Sequence, residues 1–152
     1  MRKLCPVIRL ASCLAGLLLL AGGLSAGEKK LMHCFAFTAI ENASDADWQA
    51  FFRATDALPG KIPGLTKVWY GKLRSPLPQF MPDAKARKEL AGGAKSATGE
   101  VTRVQRQWGV CMEMNDEATL KAYAADPAHK EWMDAYSKVR VPGTTTFDIL
   151  GR

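Results

Sequence analysis

Four strand-length apolar runs and two stretches of helical spacing follow one another along this chain in an order that few folds accommodate. Residues 31–38 (LMHCFAFT) are short, apolar and aromatic, as a buried strand is. Alternation puts His33, Phe35 and Phe37 on one side and Met32, Cys34 and Ala36 on the other. Ser44 is placed to cap a helix with Asp45 and Asp47 in its first turn. Trp48, Phe51, Phe52, Thr55 and Leu58 then recur at helical spacing until Pro59-Gly60 ends the helix. A second strand covers residues 65–71 (LTKVWYG). In residues 72–102 the pattern dissolves into Pro, Gly, Ala, Ser and Lys. This predicts a long loop insertion holding one short helix near residues 84–90. Residues 104–114 resume as a strand with Trp108, Val110, Met112 and Met114 on one face. Asp116-Glu117 opens a helix carrying Leu120, Tyr123 and Ala124, and Asp126-Pro127 restarts it with Trp132, Met133 and Tyr136 as its stripe. Pro142-Gly143 breaks it before a last strand over residues 144–150.

The order is βαββαβ, which predicts a ferredoxin-like α+β fold: a four-stranded antiparallel sheet with the helices on one face. The other face is then open, and alternation assigns it His33, Phe35, Phe37, Trp108, Val110 and Met112. So apolar a surface needs a cover, and a homodimer stacking sheet on sheet into an α/β barrel supplies one. A length of 152 residues, with 47% hydrophobic and 24% charged residues, suits one globular domain.

The N-terminus reads as an export signal. Arg2, Lys3 and Arg9 precede an apolar stretch to Ala21, and small residues lead to cleavage after Ala26. The apolar run is too short to span a bilayer comfortably, so no stable membrane insertion is expected once the signal is cut. The expectation is residues 1–26 as signal peptide and residues 27–152 as an exported, periplasmic or secreted domain. Cleavage removes three of 21 basic residues and none of 15 acidic ones, leaving a surplus of +3. That surplus is too small to point to nucleic acid, and Lys85, Arg87, Lys88 and Lys95 lack interleaved aromatics for stacking. Cys34 and Cys111 remain, with no CxxC and no Cys/His cluster at zinc spacing, so no metal is expected. Alternation puts both cysteines on the helix-covered face of central strands. Taken as parallel neighbours, those strands seldom bring Cβ atoms to the ~4 Å a disulfide needs, which predicts two packed thiols.

Three elements in order carry a family resemblance: the strand-one histidine in LMHCFAF, the turn KIPGL and the segment Tyr123-Ala-Ala-Asp-Pro-Ala-His129. Together they resemble the stress-responsive α/β-barrel (Dabb) family of the dimeric α/β-barrel superfamily, over nearly all of residues 30–150 except the insertion. In plant polyketide cyclases of that family, a Tyr and a His of this segment are the catalytic pair. The resemblance lays those roles on Tyr123 and His129. It also implies that His33 lines a cavity and that Phe51 and Phe52 match an aromatic pair on the first helix. Asp126 stands where the family has a first histidine, Trp108 where the cyclases carry a strand-three histidine, and the insertion is longer than usual. The plant substrate therefore does not transfer.

These readings converge on a cofactor-free enzyme of cyclase or lyase type acting on a small hydrophobic molecule. Its candidate catalytic residues are Tyr123 and His129, in a pocket lined by His33, Phe35, Phe37, Phe51, Phe52, Trp108 and Val110. A neutral imidazole would take a proton while a phenol steadies the resulting oxyanion. The alternative is a non-catalytic binding or stress-linked dimer of the same fold. Haem, bound elsewhere in the superfamily, is not expected, because the motifs of those chains are missing.

Overall fold

The computed structural model describes residues 30–151; the signal predicted over residues 1–26 lies outside them. The elements are β1 (Leu31–Ala39), α1 (Asp45–Lys61), β2 (Leu65–Pro82), α2 (Ala84–Ala91), β3 (Val101–Met114), α3 (Glu117–Ala125), α4 (Pro127–Ser137) and β4 (Arg140–Leu150). The strands form one sheet in the order β2-β3-β1-β4, every neighbouring pair antiparallel. This is the ferredoxin-like α+β fold.

Local chemistry starts the helices where expected. The Ser44 side chain accepts from the Asp47 amide at the head of α1. Asp116 caps α3 through the Thr119 amide, and Asp126 caps α4 through that of Ala128, with Pro127 first in the helix. Helix α1 runs past Pro59, two residues beyond the expected stop, and the Ile62 amide closes it on the Leu58 carbonyl. That extra half-turn carries Ile62 into the core beside Leu58 and Leu65. Gly64 then takes a φ of 86°, the left-handed region that glycine enters without penalty, and its carbonyl accepts from the Asn115 amide.

The two sheet faces are the reverse of the sequence-based assignment. Phe35, Phe37, Val110 and Met112 are buried under α1 and α4, packed with Phe51, Leu58, Trp132 and Tyr136. The helices carry the longest apolar stripes, so they cover the more apolar sheet face, where burial gains most. The open face instead carries the row Trp69–Cys111–Cys34–Phe147, four residues directly opposite one another on successive strands. Trp69, Phe147 and, in the next row, Ile149 are 42%, 49% and 54% exposed.

That row also corrects the expectation of two free thiols. Cys34 and Cys111 are joined in a disulfide across the centre of the sheet. The parallel geometry that argued against a bond is not present: β1 and β3 run antiparallel, and the two cysteines face each other with Cα atoms 4.2 Å apart. Such close spacing occurs at non-hydrogen-bonded antiparallel pairs, where side chains approach nearest.

The expected loop over residues 72–102 is largely ordered as well. After an irregularity between Lys72 and Leu77, β2 resumes pairing with β3 through Pro82, and α2 caps the resulting hairpin. Pro76, Pro78 and Pro82 obscured this strand, yet β2 is an edge strand with only one side to pair, where proline is tolerated. Asp83 ties the tip together, accepting from the Ala86 and Glu100 amides, which hold its carboxyl below the usual range. In a flat sheet β2 and β4 lie three strand spacings apart, roughly 14 Å. Gln79 on β2 nevertheless accepts a 2.6 Å hydrogen bond from Thr145 on β4, so the outer hairpin folds back over one end of the open face. Beneath it lies Arg106, 4% exposed, donating to Thr38, Thr145 and Gln79.

Candidate functional site

Between the β1–β4 half of the sheet and the α3–α4 pair lies a cavity of about 500 Å³. Its apolar wall includes Phe35, Leu120, Trp132 and Met133; its polar groups include His33, Tyr123, His129 and Arg140. The volume lies within the usual range for small-molecule sites.

Helix α4 supplies one wall as a ladder. His129, Trp132 and Tyr136 recur at three- and four-residue spacing and so share a face. Ring centroids lie 5.7 Å apart for His129–Trp132 and 4.7 Å for Trp132–Tyr136, both pairs stacked. Trp132 is fixed from behind: its Nε1 donates to Thr55 Oγ1 at 2.9 Å, and that hydroxyl donates to the Phe51 carbonyl at 2.7 Å. Phe35 closes the opposite wall against Trp132 and Tyr136.

The break between α3 and α4 brings Tyr123 against His129, ring centroids 4.2 Å apart. Burial pushes the Tyr123 phenol well above its ordinary value, so it keeps its proton across the neutral range. His129 is moved down, chiefly by burial and further by the charge of His33. A hydrogen bond to the Ala124 backbone and the proximity of Asp126 oppose this without cancelling it. At neutral pH the pair is thus a protonated phenol beside a neutral imidazole. From the sheet side His33 joins them, 6.0 Å from the Tyr123 ring, with Nδ1 2.6 Å from Asp148 Oδ1.

Of the residues singled out from sequence, His33, Phe35, Tyr123 and His129 meet in this cavity. Phe37, Phe51 and Val110 do not line it; with no more than 1% exposure they lie in the closed core behind it. Phe52 and Trp108 sit elsewhere on the helix–sheet interface, packed around Trp48, with the Trp48 and Trp108 rings stacked 4.3 Å apart. The sheet-face assignment points Phe37, Trp108 and Val110 into a space between two sheets, and the resemblance assigns Phe51 and Phe52 to the lining; none of the five lines the cavity. Sequence reading missed Asp148, Arg140, Thr144 and Thr146. Alternation along β4 from Asp148 would have put both threonines on its face, whereas Arg140 precedes the strand as predicted. Among the described residues no group of three or more His, Cys, Asp or Glu could hold a metal ion, and no helix is long and apolar enough to cross a membrane.

Sheet order and helices on one face define a ferredoxin-like α+β fold, with the cavity between helices and sheet. Solved structures agree. A Dabb family protein from Mesorhizobium loti aligns over 82% of this chain and 99% of its own, with 15% identity and a TM-score of 0.53. The hydroxynitrile lyase of Passiflora edulis aligns over 83% and 95%, with 10% identity and a TM-score of 0.55. A dimeric ferredoxin-like protein of unknown function from Bacteroides fragilis aligns over 80% and 95%, with 16% identity and a TM-score of 0.51. No protein-family model and no curated protein matches the chain in sequence.

Proposed function

We propose that the cavity binds a small, largely apolar carbonyl compound and that Tyr123 and His129 move a proton on it, as in cofactor-free cyclases and lyases. The observation that carries this reading is the convergence of His33, Tyr123 and His129 on one apolar cavity of about 500 Å³. His129 in its neutral form is the base; the Tyr123 phenol, still protonated, donates to the oxygen on which negative charge develops. His33, held by Asp148, orients the ligand from the sheet side. The Passiflora lyase shares this fold, which supports lyase-type proton chemistry as the class to test first. A thermal-shift screen of small aryl ketones and cyanohydrins tests it. At least one should raise Tm by several degrees, and His129→Ala should leave that shift largely intact while removing turnover. A screen in which no such compound stabilises the protein contradicts the reading.

Two features of setting belong to the same proposal. The exposed apolar side chains Trp69, Phe147 and Ile149 on the open face are the contact of a homodimer, in keeping with fold neighbours described as dimeric. Sedimentation equilibrium should give twice the chain mass, and Phe147→Glu should halve it; a monomeric wild type refutes this contact. Export through residues 1–26 is supported by the Cys34–Cys111 disulfide, since such bonds persist in oxidising compartments. N-terminal sequencing of protein recovered outside the cytoplasm should begin at Gly27, and an intact N-terminus would contradict it.

A further inference from the structure

The cavity has two chemically different ends. His129 and Tyr136 are seven residues apart on α4, so their positions are separated by about 10 Å along its axis. The proton-transfer groups occupy the first end. At the second stand Tyr136 and Arg140, each with one buried polar atom that has no hydrogen-bond partner. Tyr136 is 3% exposed and its hydroxyl has no hydrogen-bond partner; Arg140 Nε is likewise buried without one. The Arg140 guanidinium lies over the Tyr136 ring, 4.6 Å from its centroid, and forms no salt bridge among the described residues. Thr144 and Thr146, bonded to each other at 3.2 Å, add two hydroxyls to the lining. The residues that line the cavity include Lys121 and Arg140 but no Asp or Glu.

A buried donor without an acceptor costs about 1–3 kcal/mol, and such groups in folded proteins are normally paired. Two of them, one on the Arg140 cation itself, in a cavity wall without acids, describe a site suited to an anionic acceptor. We propose that this end is a carboxylate subsite, so that the ligand is an amphipathic carboxylic acid with its apolar body along Phe35 and Trp132. The proposal rests on the reading of the cavity as a ligand site and adds the chemical class of the ligand. The planar guanidinium fork matches a carboxylate, and Tyr136 supplies a further donor. Anchored there, a ligand of about 10 Å would present its far end to Tyr123 and His129.

Calorimetric titration with 3-phenylpropanoate and its neutral analogue 3-phenylpropanamide, at pH 7.5, tests it. The acid should bind at least tenfold more tightly than the amide. Arg140→Leu should bring the acid down to the affinity of the amide while leaving the amide unchanged. Arg140→Lys, which keeps the charge and guards against a variant that fails to fold, should retain only part of the preference. Equal binding of acid and amide to the wild type, or a preference that survives Arg140→Leu, overturns the subsite while leaving the cavity reading intact. Binding of neither compound overturns the cavity reading and this proposal with it.

Discussion

His33 on β1 and Asp148 on β4 stand directly opposite each other in the sheet, with Nδ1 and Oδ1 2.6 Å apart. A carboxylate at that distance makes Nδ1 the donor and fixes the ring orientation, as second-sphere carboxylates do for functional histidines. Asp148→Asn permits either tautomer, because an amide can donate or accept. Turnover should fall about tenfold with ligand affinity changed less than twofold. Unchanged turnover would remove His33 from the mechanism.

The lowered pKa of His129 has consequences for both activity and stability. The chain has only two histidines, so NMR titration of their ring resonances, with His33→Gln as the assignment control, reads His129 directly. Its midpoint should fall below 6.5, keeping the base form available in mildly acidic buffer. Because the folded value is the lower one, the unfolded chain binds this proton more readily. The contribution to stability is therefore present above pH 6.5 and is lost as pH falls through the folded value. Tyr123, His33 and Asp126 surround this imidazole. A midpoint above 6.5 would mean that the Ala124 hydrogen bond and the attraction of Asp126 together outweigh burial.

Thr55 orients the cavity wall from inside the core. Thr55→Val keeps the shape and removes the acceptor of Trp132 Nε1, leaving a buried donor unpaired at a cost of about 1–3 kcal/mol. Urea denaturation should show that loss. A change within 0.5 kcal/mol would mean that Trp132 finds another partner.

Much of this architecture is legible in the sequence because local rules and packing agree. The caps at Ser44 and Asp126 and the stripes on α1 and α4 all point to the fold that forms. What misleads is what alternation cannot supply. It divides β1 into two faces but does not say which one the helices cover, so Phe37 and Val110 are assigned to an open face that Trp69 and Phe147 occupy. Strand direction does follow from the βαββαβ order, which gives an antiparallel sheet; taking β1 and β3 as parallel neighbours departs from that order and hides the disulfide. The Tyr123–His129 pair is legible because a helix break at Asp126-Pro127 sets it locally. The His33–Asp148 pair, 115 residues apart in sequence, exists only through the register of β1 with β4.

The disulfide gives a direct chemical check. Thiol titration of denatured protein lacking residues 1–26 should find no free thiol before reduction and two afterwards, in a chain of monomeric mass on non-reducing gels. The bond spans 77 residues of sequence, and opening a loop of that length should cost about 4.5 kcal/mol by chain-entropy reasoning. Reduction should therefore lower Tm clearly. Two reactive thiols without reductant would restore the expectation of packed free cysteines.

The claim that Tyr123 and His129 form an acid–base pair is tested most directly by hydrogen exchange on a carbon acid. Acetophenone in D₂O loses its methyl hydrogens to solvent only as fast as a base removes them, and proton NMR follows the loss. The protein should accelerate this exchange. His129→Ala and Tyr123→Phe should each reduce the acceleration by about 10²-fold or more, with the double variant little worse than either alone. Acceleration that persists in the double variant, or no acceleration by the folded wild type, would contradict the account.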